Sequence, residues 1–571
     1  MNIERIKGII IEQIKGIHDF SKLELSSDWF QKTPSPDLGD LAFQCFPIAK
    51  QMQKNPQEIA KKIENYLSSN KIDYVEKVKA VGPYLNFFLN ANEVIEAFIS
   101  GIKYEQSKEP KKIMIEYSSP NTNKPQHLGH VRNNLLGMSI SQILEHQGNK
   151  TIKVNLLNDR GLGVSKVIYA YLYLAKEKEP NKKPDHFVGD LYLLFNNEVK
   201  KRPELEQEAQ RILKRWEEND EEVISSWKKI RDFVIEGYKE TYKKLGCLFD
   251  KEYFESEIYK EGKEIVMEGL KKGIFKEKDG AIIAPLEKYG LPEKVLIKSN
   301  GTALYITQDI ALAKKKFEDF EIDYSIYVVA SEQELYFKQL FKIIELLNIA
   351  SSDKLYHLAY GMILLEGGKM KSREGNIVDA DSIIEELERL ALSEVEQRYP
   401  NLSEEEKKER TEKIAISALK FYILKVDPTR DILFKPKESI SFQGETGPYL
   451  QYTYARIKSI VRKSGMNSKD IIKNIDLKCF ENDECIEEKA IALLALEFPS
   501  IIEKAAESLK PSLLCRYLLD FAQLINSYYH DKRVIGEDKE VMKARLALLL
   551  ASSEIIKKGL WLLGIPVLEE M

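Results

Sequence analysis

The densest chemistry in the chain lies in Ile115-Glu116-Tyr117-Ser118-Ser119-Pro120-Asn121-Thr122-Asn123-Lys124-Pro125-Gln126-His127-Leu128-Gly129-His130. It begins in an apolar, strand-like run, crosses a polar loop and ends where a helix should start. A helix start there offers free N–H groups and the positive end of the helix dipole to an anion. His127 and His130 can flank a triphosphate, each imidazole donating to an oxygen, and Gly129 between them lets backbone approach closely. Taken alone, two histidines three apart fit surface or capping residues equally well. Far downstream, Gly367-Gly368-Lys369-Met370-Lys371-Ser372-Arg373-Glu374-Gly375 is a glycine-flanked basic stretch whose cations could neutralise a leaving pyrophosphate.

The surrounding pattern indicates what positions these groups. Ile113 to Tyr117 and Thr151 to Leu157 are apolar, β-branched runs on either side of a helical stretch from about Gly129 to Gly148. Leu304 to Thr307 and Ser325 to Ala330 are further strand candidates. Alternation of this kind implies a parallel sheet with helices on its faces, and ligands in such sheets sit at the carboxyl ends of the strands. The stretch of roughly 176–292 is Lys/Glu-rich and mainly helical, as an insertion between two halves of a nucleotide-binding fold would be. The first 105 or so residues form a small mixed unit. There the Pro/Gly/Asp cluster Thr33 to Asp40 separates two helical stretches, and Val81 to Leu89 makes an edge strand with its turn. From about Asp379 helical periodicity dominates, and Leu514, Leu518, Phe521, Ile525 and Tyr528 recur as a core stripe.

Bulk composition narrows the class. The 571 residues, 43% hydrophobic and 31% charged, call for a packed protein of a few domains. No apolar run is long enough to cross a bilayer, and no signal peptide is legible at the start, so a cytoplasmic protein is expected. Cys45, Cys247, Cys479, Cys485 and Cys515 form no CxxC pair and no zinc spacing, so reduced, buried thiols and no bound metal are expected. The net charge of −4 gives no overall sign of nucleic acid. Residues 441–480 are locally basic through Arg456, Lys458, Arg462, Lys463, Lys469, Lys473 and Lys478, a pattern that charge alone assigns to a solvated helix face.

The 115–130 stretch resembles the signature of class I aminoacyl-tRNA synthetases, whose HIGH motif follows the first strand. Its Ser-Pro-Asn-x-x-Lys-x-x-His-x-Gly-His form is similar to the arginyl enzymes in particular. The loop at Lys369 to Ser372 stands where the class carries KMSKS, with Ser372 in place of the second lysine. Arginyl enzymes often lack that lysine and carry one just before the HIGH motif, the position of Lys124. The resemblance implies catalytic roles for His127, His130, Lys124, Lys369 and Lys371. It implies ATP contacts at Gly129, Gly361, Met362, Met370 and Ser372. An arginine site needs carboxylates and planar acceptors for the guanidinium fork. Glu116, Asn121, Tyr305, Asp309 and Gln339 look like the family's set. Asp159 stands in the family's Gly-Asp-Trp-Gly, with Arg160 replacing the tryptophan.

The resemblance extends over nearly the whole chain. Gly447-Pro448-Tyr449 to Arg456 and Asn526 to Asp531 resemble the helical anticodon-binding domain, with Tyr529 and Arg456 as candidate tRNA contacts. The implied fold is α/β: a Rossmann-like parallel-sheet catalytic domain with a helical insertion, an α+β N-terminal domain and an all-α C-terminal anticodon-binding domain. The units are expected at 1–108 (contacting the tRNA elbow), 109–365 with its insertion at roughly 176–292, 366–440 (contacting the stem) and 441–571. The implied activity is ATP- and Mg²⁺-dependent attachment of arginine to tRNA(Arg), by a monomer. Three alternatives stay open: a class I synthetase for another amino acid, a small-molecule nucleotidyltransferase and a non-catalytic tRNA-binding paralogue.

Overall fold

The computed structural model describes residues 1–104, 106–107, 109–365, 379–473, 475–477, 485–536 and 538–571. The N-terminal unit opens with the helix Ile3–Lys15, whose Ile3, Ile6, Ile10 and Ile14 recur at helical spacing and are buried. Four antiparallel strands follow: β1 (Phe30–Lys32), β2 (Leu41–Gln44), β3 (Val75–Val81) and β4 (Tyr84–Leu89), in the order β1-β2-β4-β3. The Thr33 to Asp40 cluster therefore joins two strands, not two helices. The expected edge strand at Val81 to Leu89 is also corrected. β4 lies inside the sheet, paired on both sides, and its Leu85, Phe87 and Leu89 are buried. The edges are β1 and β3, and on β3 the exposed Glu76, Lys77 and Lys79 discourage pairing with another chain.

The central sheet is built from β5 (Lys112–Glu116), β6 (Lys150–Leu157), β7 (Lys251–Phe254), β11 (Tyr324–Ala330) and β12 (Leu355–Tyr360). All five run parallel in the order β12-β11-β5-β6-β7. Strand order reverses between β5 and β11, which marks the crevice beyond their carboxyl ends as the ligand position. The long helix Leu128–His146 crosses from β5 to β6.

Within the expected insertion, Pro184–Lys201, Leu205–Glu217 and Glu221–Leu245 are helices. The chain then returns β7 to the parallel sheet and adds an antiparallel trio, β8 (Lys276–Lys278), β9 (Ala281–Ala284) and β10 (Lys294–Ile297). The strand expected at Leu304 to Thr307 is instead the start of the helix Tyr305–Phe320. Buried Ile306, Ile310 and Ala313 repeat at helical spacing, a signal that a four-residue apolar window cannot register.

Beyond Asp379 the described chain is helical apart from β14 (Ile432–Phe434), which pairs with β13 (Ile363–Leu365). The stripe Leu514, Leu518, Phe521, Ile525 and Tyr528 lies buried on the helix Pro511–Asp531. Among the described residues no helix is long and apolar enough to cross a membrane. Burial pushes the Cys45 and Cys247 thiols up to about 12, so they behave as small apolar side chains.

The insertion helices also clamp the polar loop. The buried Tyr238 hydroxyl shares its one proton between the carbonyls of Asn121 (2.8 Å) and Lys124 (2.7 Å). Replacing Tyr238 by Phe leaves both carbonyls short of a donor and should cost about 1–3 kcal/mol. A lowered denaturation midpoint is the expected result; an unchanged one contradicts the clamp.

Candidate active site

The helix Leu128–His146 begins with an unusual cap. His127 is the N-cap residue, and its Nδ1 accepts the Gly129 N–H at 3.1 Å. His130 Nδ1 reaches back to accept the His127 N–H, also at 3.1 Å. The two imidazoles lie 3.9 Å apart, centre to centre. Side-chain capping of this reciprocal kind satisfies two otherwise orphaned donors. A Cβ on Gly129 would sit 2.9 Å from His127 Cε1, so the glycine makes room for the histidine's own ring.

Electrostatics completes the assignment. Burial, with Lys124 nearby, lowers His127 to about 4. Burial, with His127 and Lys124, holds His130 well below its usual value. Both rings are therefore neutral at pH 7. With each Nδ1 accepting a proton, each Nε2 must carry one. The cap thus presents two Nε2–H donors to the cavity that both histidines line. Lys124 is half-buried, and burial lowers its pKa.

That cavity, about 890 Å³, opens at the carboxyl ends of β5, β11 and β12. The chain leaves β5 through Ser118 and Ser119, both left-handed, with φ of 76° and 46°. Each such residue costs about 1–3 kcal/mol and persists only where its surroundings over-determine it. Here Asn133 Oδ1 accepts the Ser118 N–H at 2.6 Å and Asn155 Oδ1 accepts the Ser119 N–H at 3.0 Å. Asn133 also donates to the Val328 carbonyl at 2.6 Å, tying the turn to β11.

The far end of the cavity is acidic. Tyr305, Asp309, Leu312 and Lys316 share one face of the helix Tyr305–Phe320. Tyr305 is 76% exposed at the rim. Asp309 accepts a hydrogen bond from the Tyr336 hydroxyl. Burial raises Asp309 to about 6; Tyr336 opposes the shift and Glu116 adds to it. Glu116 is ion-paired to the fully buried Lys316, whose ammonium lies 4.1 Å from the Tyr327 ring centre. Glu255 also lines the cavity, and burial raises it to about 7 against the pull of Arg160. Asn121 lines the opening.

Of the candidate residues, the structure brings Glu116, Asn121, His127, Gly129, His130, Tyr305, Asp309, Gly361 and Met362 to one cavity. Gln339 is not there: it is buried and donates to the Pro292 carbonyl at 3.0 Å. Gln333 lines the cavity instead, from the short turn before the helix Glu334–Leu346. Gly361 is required by the neighbouring loop, since a Cβ there would lie 2.6 Å from the Arg430 carbonyl. Asp159 does not face the cavity; its carboxylate accepts the Ser256 N–H (2.9 Å) and hydroxyl (2.7 Å). Arg160 lines the cavity while reaching Glu217 at 2.9 Å, with its guanidinium 4.0 Å from the Tyr259 ring centre. Lys369, Met370, Lys371 and Ser372 lie outside the described residues. In the helical C-terminal part, the Arg456 guanidinium lies 4.2 Å from the Tyr529 ring centre, and the Tyr529 hydroxyl bonds Asn526.

Sequence reasoning missed Glu255, Tyr336, Lys316 and Gln333. Lys316 alone left a signal, as a cation on the Tyr305–Asp309 helical face. Glu255 belongs to the stretch assigned to the insertion, and nothing local marks it.

Comparison with known proteins gives three consecutive family matches: an arginyl tRNA synthetase N-terminal domain over residues 4–89, a class I (R) tRNA synthetase catalytic domain over 93–435 and a DALR anticodon-binding domain over 450–571. An arginine–tRNA ligase of Treponema denticola is 41% identical over 554 residues, spanning 94% of each chain. One of Parabacteroides distasonis is 38% identical over 600 residues, spanning 100% of this chain and 99% of its own. The solved arginyl-tRNA synthetase of Thermus thermophilus superposes with a TM-score of 0.84 at 26% identity over 100% of both chains.

The cap makes a spectroscopic prediction. Nitrogen-15 shifts should show both rings as neutral Nε2–H tautomers at pH 7, with His127 protonating only near pH 4. Because the unfolded chain binds these protons at about pH 6.5, the pair should also weaken stability as pH falls from there towards 4. A Nδ1–H tautomer at either ring, or ordinary titration near 6.5, contradicts the cap.

Proposed function

The chain belongs to the arginine–tRNA ligase family, and from that premise we propose how its cavity divides the work between amino acid and nucleotide. It is a class I enzyme that activates arginine with ATP and charges tRNA. The observation that carries the assignment of ends is the polarity of the cavity. Carboxylates held at raised pKa line one end, and neutral imidazole donors at a helix N-terminus line the other.

Arginine enters with its guanidinium at the acidic end. Asp309 and Glu255 accept from the planar fork, and Tyr305 covers it at the rim. Glu116, Asn121 and Gln333 hold the α-amino end, Gln333 replacing the displaced Gln339. ATP enters as its Mg²⁺ complex. The Nε2–H groups of His127 and His130 meet its phosphates, aided by Lys124. The loop of Lys369, Met370, Lys371 and Ser372 takes the β- and γ-phosphates, and Gly361 and Met362 wall the adenine side. The arginine carboxylate oxygen attacks the α-phosphorus, and the bond to pyrophosphate breaks. The 2′-hydroxyl of the terminal adenosine of tRNA(Arg) then attacks the arginyl carbonyl, and AMP leaves. Catalysis is by positioning and by donors placed for developing charge; no side chain forms a covalent intermediate.

Arg456 and Tyr529 form the anticodon-side contact, with a cation steadying an aromatic face for a base. The N-terminal unit meets the tRNA elbow, and 366–440 meets the stem. The chain acts as a monomer, and the reaction belongs in the cytoplasm beside translation.

The acidic end predicts a pH dependence. A guanidinium favours the charged carboxylates, so it lowers their raised pKa values, and arginine binding releases protons. Arginine affinity should therefore fall as pH drops below about 7, through the ranges of Glu255 (about 7) and Asp309 (about 6). Asp309→Asn and Glu255→Gln should each weaken binding by at least about tenfold, the value of a hydrogen bond to a charged group, and flatten the profile. Calorimetric titration from pH 5 to 8 checks this; a flat wild-type profile contradicts the assignment.

A further inference from the structure

Two residues beyond His130, Arg132 is buried to 1% exposure in the middle of the molecule. Its guanidinium donates only to backbone carbonyls among the described residues. Nη1 reaches Gly361 (2.6 Å) and Met362 (3.0 Å), at the end of β12. Nη2 reaches Pro428 (2.9 Å) and Arg430 (2.7 Å), with Asp427 at a longer 3.5 Å. Burial lowers its pKa to about 10, so it stays charged at neutral pH. A buried charge needs such partners, and only a planar fork serves two backbone segments at once.

The same strand end is gripped from outside. The Gly361 N–H donates to the Pro428 carbonyl at 2.9 Å, and the Met362 N–H donates to Asp431 Oδ1 at 2.7 Å. Lys510, at the start of the helix Pro511–Asp531, fixes the loop's far side through Asp427 at 2.8 Å. Gly361 and Met362 wall the cavity that His127 and His130 also line. One helix therefore carries both the imidazole donors and the side chain that holds the facing wall.

We propose that Arg132 is a positioning residue of the nucleotide site, setting the separation between the histidine donors and the Gly361–Met362 wall that ATP must span. The hydrogen bonds of Arg132 reach none of the residues that hold arginine in this reading (Glu116, Asn121, Glu255, Tyr305, Asp309 and Gln333), so arginine affinity is independent of the staple. The proposal rests on the reading of the histidine end as the phosphate site.

The test is steady-state charging with ATP and arginine varied separately. Arg132→Lys keeps the charge but loses the fork, and should raise the KM for ATP by about tenfold or more while the KM for arginine stays within about twofold. Asp431→Ala removes one bond to the Met362 N–H from an exposed position, and should raise the KM for ATP by about threefold, again with arginine unchanged. A thermal melt verifies folding; if Arg132→Lys does not fold, Asp431→Ala decides alone. An unchanged KM for ATP in folded Asp431→Ala, or equal rises for both substrates, overturns the proposal. His130→Ala is run beside them: unaltered catalysis there sinks the phosphate-site reading instead, a distinct failure.

Discussion

At the start of the helix Leu128–His146, two imidazoles spend their Nδ1 acceptors on backbone N–H groups. That reciprocal cap links fold to function. It terminates the helix with ring nitrogens in place of the usual hydroxyl or carboxylate caps. It fixes the tautomer, leaving each Nε2–H as a donor. Burial then keeps both rings neutral, so they donate hydrogen bonds without placing charge beside Lys124. Much of the surrounding structure serves this helix start. Tyr238 pins the loop before it, Asn133 and Asn155 hold the strained Ser118–Ser119 turn, and Arg132 staples the facing wall.

The opposite end of the cavity solves the complementary problem of holding acids near one another without repulsion. Glu116 is neutralised by Lys316, so the β5 end carries a polar but balanced pair. Asp309 has no ion pair among the described residues and Glu255 only a long one to Arg160, and burial holds both at raised pKa. In the proposed division of the cavity, the guanidinium of arginine relieves that penalty, a source of selectivity besides shape. Arg160, half-buried against Tyr259 and ion-paired to Glu217, stays beside Glu255 without capturing it: Arg160 Nη1 is 3.9 Å from the Glu255 carboxylate.

Legibility in the sequence followed the range of the interactions. The His127–Gly129–His130 stretch is local, and motif spacing singled it out, although the reciprocal cap came only with the structure. The alternation of β5, the long helix and β6 was visible because apolar periodicity is also local. Failures came where partners are distant. Gln339 points at Pro292 rather than the cavity because the helix Glu334–Leu346 turns that face inward, and a one-dimensional motif cannot say which face. Gly361 reads as a site for base recognition, yet the close approach of Arg430, 69 residues on, is what demands a glycine there (430 − 361). Arg132 was silent for the same reason: all its partners lie more than 200 residues away. Tyr305 was placed on a strand, at Leu304 to Thr307, whereas it begins a helix that also carries Asp309. Helical spacing is what brings them to one face.

The most direct measurement is charging of total tRNA with each of the twenty amino acids, in the presence of ATP and Mg²⁺, by the wild type and by His130→Ala. The account predicts charging confined to arginine and abolished when the second imidazole is removed. Charging that survives His130→Ala would contradict the role of the capped helix start, and charging of another amino acid would contradict the division of the cavity into its two ends.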